Sequence, residues 1–304
     1  MVSLLRLARP AQWAKGVFVA VGPVYGWSHL ADRPGQSVQA VAGAILAFGF
    51  ASSACYVVND VLDREADRAH PRKRSRPIAS GRVSVSAAVW FALALAAAAG
   101  ASMLLVPGAQ RVWLGLSVAA YAANVTAYSV RLKHVVMLDV ISLACGFVLR
   151  VLGGCAAAGV EPSSWLLNCT FFVSMFLAFG KRLGERRTLG DEAGTARGVQ
   201  AAYTPELLRM AVVVTAVASL VTYAGYVQAQ GEAYTRGFNL LWLTVLPATY
   251  GLLRCIVLVE RGEYDDPTEL AWRDLPFQAA AGSFVILTLA LVALVRQAGP
   301  GGPP

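Results

Sequence analysis

Asn59, Asp60, Asp63 and Asp67 stand together where an apolar stretch gives way to polar residues, in Tyr56-Val-Val-Asn59-Asp60-Val-Leu-Asp63-Arg-Glu-Ala-Asp67. A helix turns about 100° per residue. If it continues through this run, Asp63 lies about 40°, Asp67 about 80° and Asp60 about 100° from Asn59, and Glu65 points away. Three carboxylates and an amide on one narrow face repel one another unless a cation joins them. Mg2+ takes hard oxygen ligands, commonly one or two carboxylates with substrate phosphates. These four residues are therefore candidate metal ligands. The competing reading is a solvated helix end whose acids pair with Arg64 and Arg68.

Directly after the acids comes His70-Pro71-Arg72-Lys73-Arg74-Ser75-Arg76-Pro77-Ile78-Ala79-Ser80-Gly81. Its prolines and glycine predict a loop. Arg72, Lys73, Arg74 and Arg76 beside the acid face suit a metal-bridged polyphosphate, with acids on the metal and bases on phosphate oxygens. A basic anchor beside anionic lipid is the alternative.

A second polar entry runs from Tyr128 through Arg131 and Lys133 to Asp139. On the helix that follows, Asp139, Gly146, Arg150, Gly153 and Ala157 share one face. An arginine this deep in an apolar segment normally faces a cavity or a partner. Asp139 or an anionic substrate would serve Arg150, or the arginine is half of a structural ion pair. The small residues beside it leave room for a substrate chain or a neighbouring helix. Gln12 and Lys15, then Lys181, Arg182 and Glu185, then Tyr203 and Arg209 border other apolar runs. Singly these are interfacial anchors; together they become candidate phosphate or ribose contacts.

The elements that must position these groups are membrane helices. Apolar residues make up 57% of the 304, charged residues only 14%, and the mean hydropathy is +0.55. A soluble domain carries about 25% charged residues, so most of the outside must face lipid. The net charge of +8 does not indicate nucleic acid, because the cations sit between apolar runs where positive-inside bias puts them. Nine runs can be marked, near 16–30, 39–58, 86–106, 111–128, 138–158, 164–180, 207–228, 239–259 and 276–296. With the N-terminus in the cytoplasm, 21 Lys and Arg fall inside and 4 outside, which also places the C-terminus outside. Eight of nine aspartates lie on the cytoplasmic face, and a site there explains the bias. The first run carries Pro23 and no clear cleavage pattern, so it is not expected to be a signal peptide. Cys55, Cys145, Cys155, Cys169 and Cys255 have no metal spacing and are expected to be small apolar packing residues. Residues 1–298 are expected to form one all-α transmembrane domain, and 299–304 a disordered tail.

The run Asn59–Asp67 resembles the first aspartate-rich motif of the UbiA superfamily of intramembrane prenyltransferases. RPAQWAKG (9–16), HPRKRSRPIASGRVS (70–84), YSVRLKH with Asp139 (128–139), GFVLR (146–150), GKRLGE (180–185) and YTPELLR (203–209) resemble its decaprenyl-phosphate phosphoribosyltransferase branch. The resemblance spans most of the chain. It implies nine helices around a central cavity open sideways to lipid. It also implies Mg2+-dependent transfer of 5-phosphoribose from phosphoribosyl diphosphate to a polyprenyl phosphate, with release of diphosphate. By motif, Asn59, Asp60, Asp63 and Asp67 hold Mg2+-diphosphate, while Lys15, Arg72, Lys73, Arg74, Lys181 and Arg182 hold phosphates. Asp139 and Tyr128 border the cavity, and Asp60, Asp63 and Asp139 are the candidate catalytic residues. Gln12, Asn59, Arg76, Lys133, Arg150, Tyr203 and Arg209 complete the candidate substrate contacts.

Two features depart from the pattern. Gly16 stands where the branch usually has Asn, and the second aspartate-rich region offers only Asp139. That shortage favours the phosphoribosyl branch over enzymes that move a prenyl group to a small or aromatic acceptor. A non-enzymatic lipid transporter or binding protein is the reading from another class. The expected setting is a bacterial plasma membrane, with the two substrates and the bilayer as partners, no nucleic acid, and a homo-oligomer left open.

Overall fold

The computed structural model describes residues 2–26, 34–69, 73–189, 202–261 and 273–298; Arg72 and the expected tail 299–304 lie outside them. Among the described residues the regular elements are all helical. They are α1 (Val2–Ala8), α2 (Val17–Tyr25), α3 (Pro34–Leu62), α4 (Arg64–Ala69), α5 (Val85–Ser102), α6 (Gly108–Val130), α7 (Leu138–Ala158), α8 (Ser164–Leu189), α9 (Pro205–Ala229), α10 (Gly231–Tyr234), α11 (Val245–Arg261) and α12 (Leu275–Ala298), with short 3-10 turns between some of them.

The chain is a multi-pass membrane protein, but the expected count of about nine spans is not exact. Seven segments among the described residues are long and apolar enough to cross a bilayer: Gly35–Leu62, Val85–Leu105, Leu138–Ala158, Ser164–Arg187, Pro205–Ala229, Leu240–Arg261 and Leu275–Val295. The first expected run is described only as far as residue 26. A 3-10 stretch, Pro10–Gly16, leads into it, and its described part is the nine-residue α2 with Pro23 inside. The fourth run is part of α6, which is long enough at 23 residues but carries Gln110, Arg111, Ser117, Asn124 and Thr126.

Local signals set several boundaries. Ser84 caps α5 by accepting from the Ala87 N–H at 3.2 Å. Thr204 caps α9 through the Leu207 N–H at 3.1 Å, with Pro205 opening the helix and Glu206 in its first turn. Both are ordinary helix-start chemistry.

The contacts divide the chain into two compact units. The first comprises Met1–Val130 with Leu149–Glu161. One of its cores gathers Val19, Ala44, Ala47, Phe48, Leu114, Val118, Tyr121 and Ala157, and another gathers Leu7, Val57, Ile78, Val83, Ala88 and Leu95. Glycine is required where backbones meet: a side chain at Gly154 would collide with the Val19 carbonyl. At Gly153 one would collide with the Phe48 ring. On the small-residue face of α7, the space at Gly153 is therefore filled by a neighbouring side chain.

The second unit comprises Arg131–Val148 with Pro162–Pro304. Val140, Phe176, Phe179, Leu183, Tyr203, Leu208, Val212, Cys255 and Leu258 form its core. Large apolar side chains such as Trp90, Trp113, Val214 and Ile286 are exposed, as expected where lipid is the solvent. All five cysteines are free, as their spacing predicts.

Candidate active site

The acid run leaves α3 without losing helical register. Although Asp63 separates α3 from α4, its N–H donates to the Asn59 carbonyl at 2.9 Å, and the Asp67 N–H donates to the Asp63 carbonyl at 2.8 Å. The turn-to-turn bonds carry straight across the break. Asp60 and Asp67 consequently share the inward face and are buried, whereas Glu65 points outward and is exposed. Asn59 and Asp63 flank them half-buried, with the Asn59 amide donating to Asp63 Oδ2 at 3.1 Å.

The four residues do not form one ligand sphere as their side chains stand. Among the described residues no three acids, histidines or cysteines converge closely enough to hold a metal ion. The cation that joins the buried pair is a guanidinium: Arg76 Nη1 donates to Asp60 Oδ1 at 3.1 Å and to Asp67 Oδ2 at 2.7 Å. Arg9 Nη2 adds a second bond to Asp60 Oδ1, at 2.7 Å. The partners are thus Arg9 and Arg76, not the Arg64 and Arg68 of the solvated-end reading; those two pair with the exposed Glu65. The donor set still suits a hard divalent cation, since every available ligand atom is oxygen and two carboxylates already share a single positive centre.

Arg9 is held by more than its charge. Its backbone is left-handed, φ 48°, which costs a non-glycine residue about 1–2 kcal/mol. Ser53 spans the turn, donating to the Ala8 carbonyl at 2.6 Å and accepting from Trp13 Nε1 at 3.0 Å. The guanidinium lies 4.8 Å from the centroid of the Tyr56 ring, one helical turn before Asp60.

Arg76 comes from a loop that is closed from within. Ile78, Ala79 and Val83 are buried beneath it. Arg68 Nε donates to the Ala79 carbonyl at 3.1 Å, and the Val83 N–H donates to the Pro77 carbonyl at 3.0 Å. Arg82 donates to the Ser75 carbonyl and to Ser80 Oγ. Gly81 supplies the reversal at φ 75°. On the same loop Lys73 is half-buried and Arg74 exposed.

Arg150, only 5% exposed, lies in the first unit. Its Nη2 donates to Tyr121 Oη at 2.7 Å and to Ser52 Oγ at 3.0 Å. Its guanidinium also stacks 4.3 Å from the Tyr121 ring centroid. Those two hydroxyls receive it within that unit.

Asp139 belongs to a network in the second unit. It is fully buried, accepts from Tyr203 Oη at 2.6 Å and from Arg182 Nε at 3.3 Å. Arg182 also donates to Glu185 at 3.1 Å. The Tyr203 hydroxyl accepts in turn from the Met137 N–H at 2.8 Å, and Met137 is left-handed at φ 67°. Burial pushes the Tyr203 phenol above the ordinary tyrosine range, and its bond to Asp139 raises it further. The two non-glycine residues with positive φ among those described, Arg9 and Met137, thus each serve one of the two acid centres. Strain of this kind persists where surroundings over-determine it, commonly at functional sites.

The remaining candidates are placed less specifically. Gln12, Lys15, Tyr128, Lys133 and Lys181 are half-buried, while Arg209 is exposed and pairs with Glu260 at 3.4 Å. Arg9, Ser52, Ser53 and Tyr121 were not among the expected site residues. A usable signal existed for the last three: a hydroxyl inside an apolar helix needs a partner, and Ser53 stands seven residues before Asp60, on the same face of α3.

A family model described as the UbiA prenyltransferase family matches residues 16–280. The chain is 34% identical over 283 residues to the decaprenyl-phosphate phosphoribosyltransferase of Corynebacterium glutamicum, covering 93% of this chain and 84% of that one. It is 32% identical over 282 residues to the enzyme of the same name from Mycolicibacterium smegmatis, covering 90% and 87%. Among solved structures, a UbiA homolog from Archaeoglobus fulgidus bound to GPP and Mg2+ superposes with a TM-score of 0.70 at 20% identity, over 97% of this chain and 99% of that one.

Proposed function

Because the chain belongs to the UbiA prenyltransferase family, we propose that it transfers 5-phosphoribose from phosphoribosyl diphosphate to a polyprenyl phosphate of the decaprenyl type, releasing diphosphate. The observation that carries this reading is the likeness to two phosphoribosyltransferases over at least 84% of their lengths. Supporting it is the pairing of the buried acids Asp60 and Asp67 with Arg9 and Arg76 at the end of α3.

In the reaction the bond from sugar C1 to the diphosphate oxygen breaks, and its electron pair leaves with diphosphate. A lipid phosphate oxygen forms the new bond to C1. Asn59, Asp60, Asp63 and Asp67 would hold Mg2+, which when bound supplies hard positive charge to the leaving group. Arg9, Arg76, Lys73 and Arg74 neutralise the developing negative charge. Gln12, Lys15, Tyr128, Lys133, Lys181 and Arg209 serve as further substrate contacts. Asp139 acts as a positioning residue, its carboxylate satisfied by Tyr203 and Arg182. No dedicated base is needed, because the lipid phosphate arrives as an anion; what the residues supply is position and charge. The N-terminus and the mouth of the site face the cytoplasm of a bacterial plasma membrane, following the Lys and Arg bias.

The test uses purified protein in detergent with Mg2+, labelled phosphoribosyl diphosphate and decaprenyl phosphate. Label is expected in the lipid phase, and Asp60→Asn should abolish it. Turnover of a prenyl diphosphate instead, with no sugar transfer, would replace this reading with the prenyltransferase one. Transfer of neither group by the unaltered chain would point to a lipid transporter or binding protein.

A further inference from the structure

We infer that Arg76 is the resident counter-ion of the acid face and passes from the carboxylates to the substrate's diphosphate when a divalent cation takes Asp60 and Asp67. This rests on the metal-dependent diphosphate chemistry proposed above and deepens it. One nitrogen, Arg76 Nη1, bridges both buried acids. A metal ion that takes those same oxygens competes with it for their lone pairs, and Asp60 Oδ1 already holds Arg9 as well. The acids cannot simply stand without a cation, because a buried carboxylate that loses its partner is strongly destabilising. The face is therefore charge-compensated in either state, by the guanidinium or by the metal.

The loop decides what moves. Its backbone is fixed by the buried Ile78, Ala79 and Val83 and by bonds from Arg68 to the Ala79 carbonyl and from Arg82 to the Ser75 carbonyl. Displacement is thus confined to the Arg76 side chain, which is 29% exposed and long enough to swing toward solvent. Arg9 behaves differently: it contacts only one of the two acids, stacks on Tyr56, and is braced through Ser53. Arg9 stays as the fixed charge and Arg76 as the exchangeable one. A displaced guanidinium regains its charge partner when it binds a phosphate oxygen. Metal and anion therefore assist each other, and a metal alone must bind against the resident arginine.

The experiment is a Mn2+ titration of the full-length protein in detergent, followed by electron paramagnetic resonance without any substrate. Arg76→Gln is expected to bind Mn2+ on the order of 10-fold tighter than the unaltered chain, and Arg76→Lys to stay close to it. Equal or weaker binding by Arg76→Gln would overturn the proposal. If Arg76→Gln proves less stable, Mn2+ should raise its melting temperature by more than it raises that of the parent chain; an equal or smaller rise overturns the idea as well. Neither measurement uses sugar or prenyl donors, so the result is separable from the outcome of the transfer assay.

Discussion

Tyr203 carries two bonds that no other described side chain replaces: it donates to Asp139 and accepts from the Met137 N–H. Tyr203→Phe keeps the ring against Phe179 but leaves a buried carboxylate oxygen and a strained backbone N–H each short of a partner. Such a loss costs about 1–3 kcal/mol. Thermal melts in detergent are expected to show it, whereas an unchanged melting temperature would mean that water satisfies both groups. At this scale the acid run was legible because its spacing is local, four residues from Asn59 to Asp63 and four more to Asp67. Its partners were not legible. Arg9 lies 51 residues from Asp60, and Tyr203 lies 64 from Asp139; only the fold brings such pairs together.

At the scale of elements, the start of α12 has a titratable clamp. Asp274 accepts from the Phe277 N–H at 2.8 Å and from Arg254 Nη2 at 2.8 Å, tying the start of α12 to α11. The hydrogen bond from Arg254 holds its carboxyl below the ordinary value of 3.8, with the Phe277 N–H contributing. A lowered folded-state value gives stabilisation that is complete above the unfolded value and disappears as pH falls through the folded one. Asp274→Asn should therefore melt below the parent chain at pH about 7, with the gap closing as pH drops under about 4. A gap that widens on acidification would contradict this role. The long apolar helices themselves were readable from composition and run length. What escaped was the exact number of spans. Pro23 interrupts the first run, and the polar residues of α6 dilute the fourth.

For the whole molecule, the decisive property is that its outer surface is apolar. Ile286, near the middle of α12, is 68% exposed. An arginine at the centre of a spanning helix costs about 2.5–3.5 kcal/mol on insertion scales. Ile286→Arg is expected to lower membrane integration of α12, read with glycosylation reporters at its two ends, while Ile286→Ala changes it little. Equal integration of both variants would mean that this face meets protein and not lipid. The same property explains the basic charge. In a chain with so few charged residues, cations cluster where apolar segments end, which is also where Arg9 and Arg76 find their acids.

The closed loop between Lys73 and Val83 has a consequence for encounter rates. Its basic rim is in place before any anion arrives, so capture of a small, highly charged molecule spends little entropy on ordering the protein. If the proposed substrate contacts hold, association is governed by the long-range field of that rim. Such steering speeds collisions at low ionic strength and fades as the Debye length shrinks to about 8 Å at physiological salt. Salt acts on how often the anion is caught, while the bonds inside the loop hold its backbone in place throughout.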